Sequence, residues 1–442
     1  MSDFRREFDR RDFLQLSLAA SLGVSCSGWL PRVAYAAQQQ TVAKRCILLW
    51  MAGGPAQTDT FDLKPNHPNG GTVKPIATSA PGIQISEKLP GMARQMEHLA
   101  IVRSLTSKEG DHQRGTQLML TGYAPRGGNL HYPVLGSMLS HELAPPDGEL
   151  PPFVSVSPFQ MSNLGPGLLG PKYAPLTVSG QSNDPATRAN LTVENLRPSK
   201  LQSPQSLESR FGLLHTMQAD FRQQYPGEAT EAQIANYDKA INLVRTEARG
   251  AFKLNEESAE VRDAYGRNRF GQGCLLARRL VERGVSCVEV TLAGTDPNSQ
   301  LGWDTHSNSA SQVGDLCDVL DPAWATLMRD LHDRGLLDST LVIWMGEFGR
   351  TPKINQNAGR DHFPTAWSMV LGGARIRGGQ AYGDTGRDGE QVVDNPVTVP
   401  QLYATICAAL DIDPTKDNIS PQGRPVGIVD GDAAPIDELL QS

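Results

Sequence analysis

Short runs of consecutive apolar residues, rich in β-branched side chains, recur along the chain at 46–51, 99–103, 153–156, 285–292, 340–345 and 368–371. Each is bounded by Gly, Pro, Asp or Ser, and uninterrupted runs of this length predict strands buried on both faces. Between several of them the apolar positions change to a three-and-four spacing. Val313, Leu316, Cys317, Leu320, Trp324, Leu327, Met328 and Leu331 show it most clearly and predict one helix, with Asp321-Pro322 suited to a cap or kink within it. Helices are also predicted over 207–224, 231–254, 273–283 and 400–410. Strands alternating with helices predict an α/β fold, with a mostly parallel central sheet covered by helices on both faces. The segment 157–206 is rich in Gly, Pro, Ser and Asn, has little periodicity, and is expected to be a surface insertion or partial cap over the sheet edge.

The N-terminus has another pattern. Arg10-Arg11-Asp12-Phe13-Leu14 precede a weakly apolar stretch at 16–24, and Ala34-Tyr35-Ala36 stand before Ala37. Charged region, apolar region and small-residue cleavage site in that order predict an export signal over residues 1–36, leaving a single domain over 37–442. The paired arginines followed by Phe-Leu resemble a twin-arginine signal. That resemblance implies the twin-arginine translocation machinery as a partner, export after folding, and a periplasmic or secreted protein. Elsewhere no run approaches the roughly 20 apolar residues that span a bilayer, so no membrane span is expected in the mature chain.

Composition narrows the partners. The chain has 41 basic and 48 acidic residues, a net charge of −7, and no Lys/Arg block longer than a pair, which argues against nucleic acid. Gly 43 and Pro 31 are together about 17% of the chain against a usual ~12%, which points to many loops, where chemistry tends to reside. Cysteines 46, 274, 287, 317 and 407 are irregularly spaced, mostly within apolar runs, and are expected to be buried thiols.

In a parallel sheet, ligands bind beyond the carboxyl ends of the strands, so the residues just past each strand matter most. The first strand leads into Gly53-Gly54-Pro55, with Asp59 close behind, and the second into a loop ending in Asp111-His112-Gln113-Arg114. After 285–292 comes Trp303-Asp304-Thr305-His306; after 340–345 come Glu347-Phe348-Gly349-Arg350 and then Gly359-Arg360-Asp361-His362. Carboxylates and imidazoles converging on one edge suit a divalent cation: nitrogen and carboxylate donors fit zinc, iron or manganese, and oxygen-only sets fit calcium or magnesium. Asp304 and His306, one residue apart, share a side of an extended segment; they are either ligands or a hydrogen-bonded loop pair. His362 is a ligand or a surface or capping residue. His112 stands where a helix through 115–121 begins and is a base, a ligand or a capping neighbour. Arg114, Arg350 and Arg360 either fork onto an oxyanion or serve in salt bridges.

Two sets of motifs resemble known families. The stretch from Leu320-Asp321-Pro322 through Arg334-Gly335-Leu336-Leu337-Asp338-Ser339-Thr340-Leu341-Val342-Ile343 resembles the helix, turn and strand that precede the metal-binding Asp-His of sulfatases and alkaline phosphatase relatives. More closely, Asp59-Thr60-Phe61-Asp62-Leu63-Lys64-Pro65, Trp303-Asp304-Thr305-His306-Ser307-Asn308, Met345-Gly346-Glu347-Phe348-Gly349-Arg350-Thr351-Pro352 and Gly359-Arg360-Asp361-His362-Phe363-Pro364 resemble the exported domain-of-unknown-function family 1501, placed in the alkaline phosphatase-like superfamily. The resemblance covers about 44–414. It implies an alkaline phosphatase-like fold and a metal-dependent hydrolase of phosphate or sulfate esters. His112 and Asp111 would be catalytic and Arg114, Arg350 and Arg360 would bind an anionic small molecule or glycan. Asp59, Asp304, His306, Glu347 and His362 would surround a zinc, calcium, magnesium or manganese ion. Where sulfatases carry a nucleophile leading to Leu-Thr-Gly, this chain has Asp111-His112-Gln113-Arg114 leading to Leu120-Thr121-Gly122, without Ser, Thr or Cys at that place; where relatives have Asp-His or Asp-Asn, it has Glu347-Phe348. A non-catalytic exported anion- or glycan-binding protein of the same fold is the alternative.

Overall fold

The computed structural model describes residues 44–441 apart from 128–129, 146–147, 158–163, 180–190, 192–203, 246, 296–298 and 421. The export signal at 1–36 and much of the segment 157–206 therefore lie outside the described residues.

Among the described residues, nine strands form one sheet: β1 (Arg45–Met51), β2 (Leu99–Thr106), β3 (Phe153–Val156), β4 (Leu176–Val178), β5 (Cys287–Leu292), β6 (Thr340–Met345), β7 (Trp367–Gly372), β8 (Gln380–Tyr382) and β9 (Val397–Thr398). Their order is β8-β2-β7-β6-β1-β5-β3-β4, and β9 also pairs with β2. The β7 strand runs antiparallel to both neighbours, β2 and β6. The other pairings in this sheet are parallel. One reversal in a parallel sheet has a direct effect on the site: the start of β7 lies at the edge where the other strands end.

The central strand, β1, shows why its run is uninterrupted. Ile47, Leu49 and Met51 enter one core and Cys46, Leu48 and Trp50 the other, and all six are buried. The first core is closed by α5 (Arg269–Glu282) and α6 (Ser309–Asp333), through side chains such as Leu276, Leu280, Leu320 and Trp324. The second is closed by α1 (His112–Thr121), α2 (Leu135–Leu143) and α7 (Val399–Ala409), through Met119, Leu139 and Ile406 among others. The fold is thus α/β, with a mostly parallel sheet and helices on both faces. Two further helices, α3 (Pro204–Gln224) and α4 (Glu228–Arg245), pack against each other. The five described cysteines are buried free thiols.

Some details differ from the sequence pattern. The β4 strand lies inside the segment expected to be an insertion, yet pairs with β3 in register Val154 to Leu176. The helix expected to reach residue 254 ends at Arg245, and two 3-10 turns come after it. Pro322 sits inside the continuous α6, while Asp321 turns outward to accept the backbone N–H groups of Gly91 and Met92 at 2.7 and 2.8 Å. It thereby caps the short helix Pro90–Ala93 from a distant part of the chain. Among the described residues, no helix is long and apolar enough to cross a membrane.

Candidate metal centre

Five segments meet at the carboxyl edge of the sheet. After β1 the chain turns through Gly53, with φ of +113°, where a Cβ would lie 2.5 Å from the backbone nitrogen of Asp304. Glycine is what lets the 303–304 segment approach, and Trp303 N–H binds the Ala52 carbonyl at 3.1 Å. Asp111 caps α1, accepting the Arg114 N–H at 3.1 Å, so the first helical residue, His112, faces the edge. After β6 the chain continues into Glu347 and Phe348. A two-residue antiparallel ladder then sets Arg350 opposite His362, just before β7 begins. Gly359 is pressed against the His306 backbone, where a Cβ would fall 2.0 Å from the carbonyl.

The result is a cluster around one oxygen. Asp304 Oδ1 lies 3.0 Å from His306 Nε2, 3.1 Å from His362 Nε2 and 3.3 Å from His112 Nε2. The two imidazole nitrogens Nε2 of His306 and His362 are 3.1 Å apart. Arg350, fully buried, donates to Asp304 Oδ1 at 2.5 Å and to the carbonyls of Gly53 and Gly54. Ligand atoms of His112, Asp304 and His362 lie close enough to hold one metal ion. Phe348 forms the floor, its ring 5.0 Å from that of His112 and 4.7 Å from that of His362.

Outside the cluster each imidazole has an acceptor on its other nitrogen. His112 Nδ1 donates to Glu347 Oε1 at 2.7 Å, His306 Nδ1 to Asp361 Oδ1 at 2.9 Å, and His362 Nδ1 to the Gly110 carbonyl at 2.7 Å. Glu347 Oε1 also accepts the Gly53 N–H at 2.9 Å. Burial opposes the charge of His112, but contacts with Asp304 and Glu347 outweigh it and push its pKa up to about 9. Burial likewise opposes the charge of Asp304, while His112 and Arg350 hold its carboxyl well below the usual carboxylate range. The hydrogen bond from His306 lowers Asp361.

Several residues singled out in the sequence are placed elsewhere. Asp59 and Arg360 form a buried bidentate pair at 2.7 and 2.9 Å, with Ser309 donating to the same carboxylate, so neither reaches the cluster. Asp111 is spent on the helix cap, and Arg114 is exposed and forked onto Glu109 at 2.6 and 2.8 Å. Glu347 meets the cluster through the far side of His112. Arg350 is occupied by Asp304 and the carbonyls of Gly53, Gly54 and Arg360, with its Nη1 3.5 Å from His306 Nε2. The Gly110 carbonyl, the Gly53 N–H and Phe348 had no sequence signal beyond their position next to polar motif residues.

The family model described as "Protein of unknown function (DUF1501)" matches residues 43–440. The chain belongs to the DUF1501 family. No curated protein matches its sequence. Among solved structures, this DUF1501 chain is similar to the lipoteichoic acid synthase LtaP from Listeria monocytogenes, with 8% identity, 84% of this chain and 72% of that chain covered, and a TM-score of 0.38. It is also similar to the PsFucS1 sulfatase from Pseudoalteromonas sp., at 11% identity, 87% and 70% coverage and a TM-score of 0.34. A third is the C-terminal periplasmic domain of EcEptC from Escherichia coli in complex with Zn, at 10% identity, 88% and 89% coverage and a TM-score of 0.36. At such scores these are distant likenesses, and they say nothing about the chemistry of the present site.

Proposed function

We propose that this DUF1501 protein is an exported hydrolase of phosphate or sulfate esters that works with a divalent ion held by His112, Asp304 and His362. The observation that most supports this reading is the convergence of imidazole nitrogens on one carboxylate oxygen at the carboxyl edge of the sheet. The donors fit such an ion, since imidazole and carboxylate are its ordinary ligands. The buried His112 Nε2 also lacks a partner in hydrogen-bonding geometry. When bound, the ion would polarise an ester oxygen and favour hydroxide from water at neutral pH.

The protein's own residues supply the setting. Arg350 keeps Asp304 ionised, and Phe348 walls the cluster from below. The half-exposed His306 lies on its open side. The nearby hydroxyls of Thr305 and Ser309 are hydrogen-bonded to each other, and Ser309 also to Asp59, while the described cysteines are buried in the cores. Water therefore attacks directly, without a covalent intermediate on a hydroxyl or thiol. In this reading the Arg10-Arg11 leader carries the chemistry outside the cytoplasm.

The test is turnover of aryl phosphates and sulfates by purified protein supplied with zinc, manganese, calcium or magnesium. We expect His112→Ala to lower turnover by at least ~10²-fold, and His332→Ala, on exposed α6 surface, to leave it unchanged. No turnover with any ion, together with binding of an anionic saccharide, would overturn the hydrolase and support the anion-binding alternative.

A further inference from the structure

We infer that the cluster is a nitrogen-selective centre in which His306 is a fourth ligand and three outward hydrogen bonds, led by that of Glu347, set every imidazole to present Nε2 to the same point. This rests on the metal-site reading above and extends it to the identity of the ion and to a positioning role for Glu347.

Proton placement fixes the direction of each ring. A carbonyl oxygen carries no proton, so the Gly110 contact requires the proton of His362 on Nδ1, and the carboxylates of Asp361 and Glu347 ask the same of His306 and His112. When the rings are neutral, as ligation requires, each aims an Nε2 lone pair inward. Between His306 and His362 two such lone pairs would meet at 3.1 Å, an arrangement that a shared cation stabilises, with Arg350 Nη1 also 3.5 Å from His306 Nε2.

Size agrees with a metal. Four ligands at about 2.0–2.1 Å in a tetrahedron stand about 3.3–3.4 Å apart. Four of the six pairwise separations are 3.0, 3.1, 3.1 and 3.3 Å, and at those an expansion of a few tenths of an ångström matches the tetrahedron. Three imidazoles with one carboxylate favour zinc-like ions, whereas calcium and magnesium prefer oxygen donors. Glu347 is placed to orient the site without ligating. Its Oε1 is committed to His112 and the Gly53 N–H, and its buried Oε2 has no donor of its own. The side chain is therefore held in place behind His112.

The experiment is metal titration of the chelator-stripped full chain with zinc, cobalt, calcium and magnesium separately, read by calorimetry and by the visible absorption of bound cobalt. Zinc is expected to bind at one equivalent and at least ~100-fold more tightly than calcium or magnesium. Glu347→Ala should weaken zinc by ~10- to 100-fold without changing the stoichiometry, and the exposed Asp361→Ala should weaken it in the same direction with no folding defect. His306→Ala should shift and weaken the cobalt spectrum as one nitrogen is lost.

Calcium binding as tight as zinc, or an unaltered cobalt spectrum in His306→Ala, would overturn the nitrogen-selective centre. Unchanged zinc affinity in folded Glu347→Ala and Asp361→Ala would overturn the positioning role. Absence of any bound ion removes the metal-site reading as well. Selective zinc binding without ester turnover leaves this inference standing and removes only the hydrolase.

Discussion

Replacing Asp59 by Asn separates two roles that the motif around it allows, metal ligand and buried counter-ion. In the structure both carboxylate oxygens face Arg360, at 2.7 and 2.9 Å, and the two side chains are about 1% exposed. Removing one member of such a pair strands a buried charge and costs about 3–5 kcal/mol. Arg360 keeps the carbonyls of Asn69, Thr351 and Pro352, so the guanidinium is not wholly orphaned, and the cost belongs in the lower part of that range. With an unfolding entropy of about 2.1 cal/mol/K per residue and about 400 folded residues, 3–4 kcal/mol lowers Tm by about 4–5 °C. Calorimetry of metal-free protein measures this shift, and elemental analysis of reloaded protein measures the ion. We expect Asp59→Asn to lose stability and keep its metal stoichiometry. The double variant Asp59→Leu with Arg360→Met should cost less than the two single changes together, because neither leaves a partner behind. Loss of the ion with unchanged metal-free Tm, or strict additivity in the double variant, would refute the reasoning.

Two other buried carboxyls give separate tests. Glu289 on β5 lies in the sheet beside Ser155, which donates to it at 2.9 Å; burial pushes its carboxyl up and the serine offsets only part of this. Folding therefore favours its protonated form, so stability falls as pH rises through the raised folded-state value. Glu289→Gln should gain on the parent in Tm as pH rises from 4 to 9, and a constant difference across that range would count against the assignment. Asp321→Ala orphans the N–H groups of Gly91 and Met92 and should cost about 2–3 kcal/mol in urea unfolding with an unchanged m-value. A cost below about 0.5 kcal/mol would show that water replaces the cap.

Burial on both faces is what makes the strands legible. The β1 and β6 strands stand out because their apolar residues alternate into two cores. The β8 and β9 strands are three and two residues long and take their register from β2 alone, so no pattern marks them. Nor does composition reveal that β7 runs backwards, although this reversal delivers His362 to the same edge as His112 and Asp304. Within the site, positions after strand ends single out the right loops but not the direction of each side chain. Arg360 stands in the same motif as His362, yet its partner is Asp59. Asp111 and Arg114 flank His112 and are turned to a helix cap and to Glu109. For Asp59 and Arg360 that choice is made by a partner 301 residues away, whereas Asp111 and Arg114 find theirs within five residues.

The position of β7 also bears on how the chain is made. Among the described residues, the sheet partners of β2 are β7, β8 and β9, all of which lie beyond residue 366. A nascent chain that stops short of β7 has therefore completed β1, β5 and β6 but leaves both edges of β2 bare, and with it the helix that carries His112. In the folded sheet, β7 between β2 and β6 is what brings His112 and His362 to one edge. If the proposed ion is bound there, C-terminal truncation that removes β7 should abolish its binding while the earlier strands still pair.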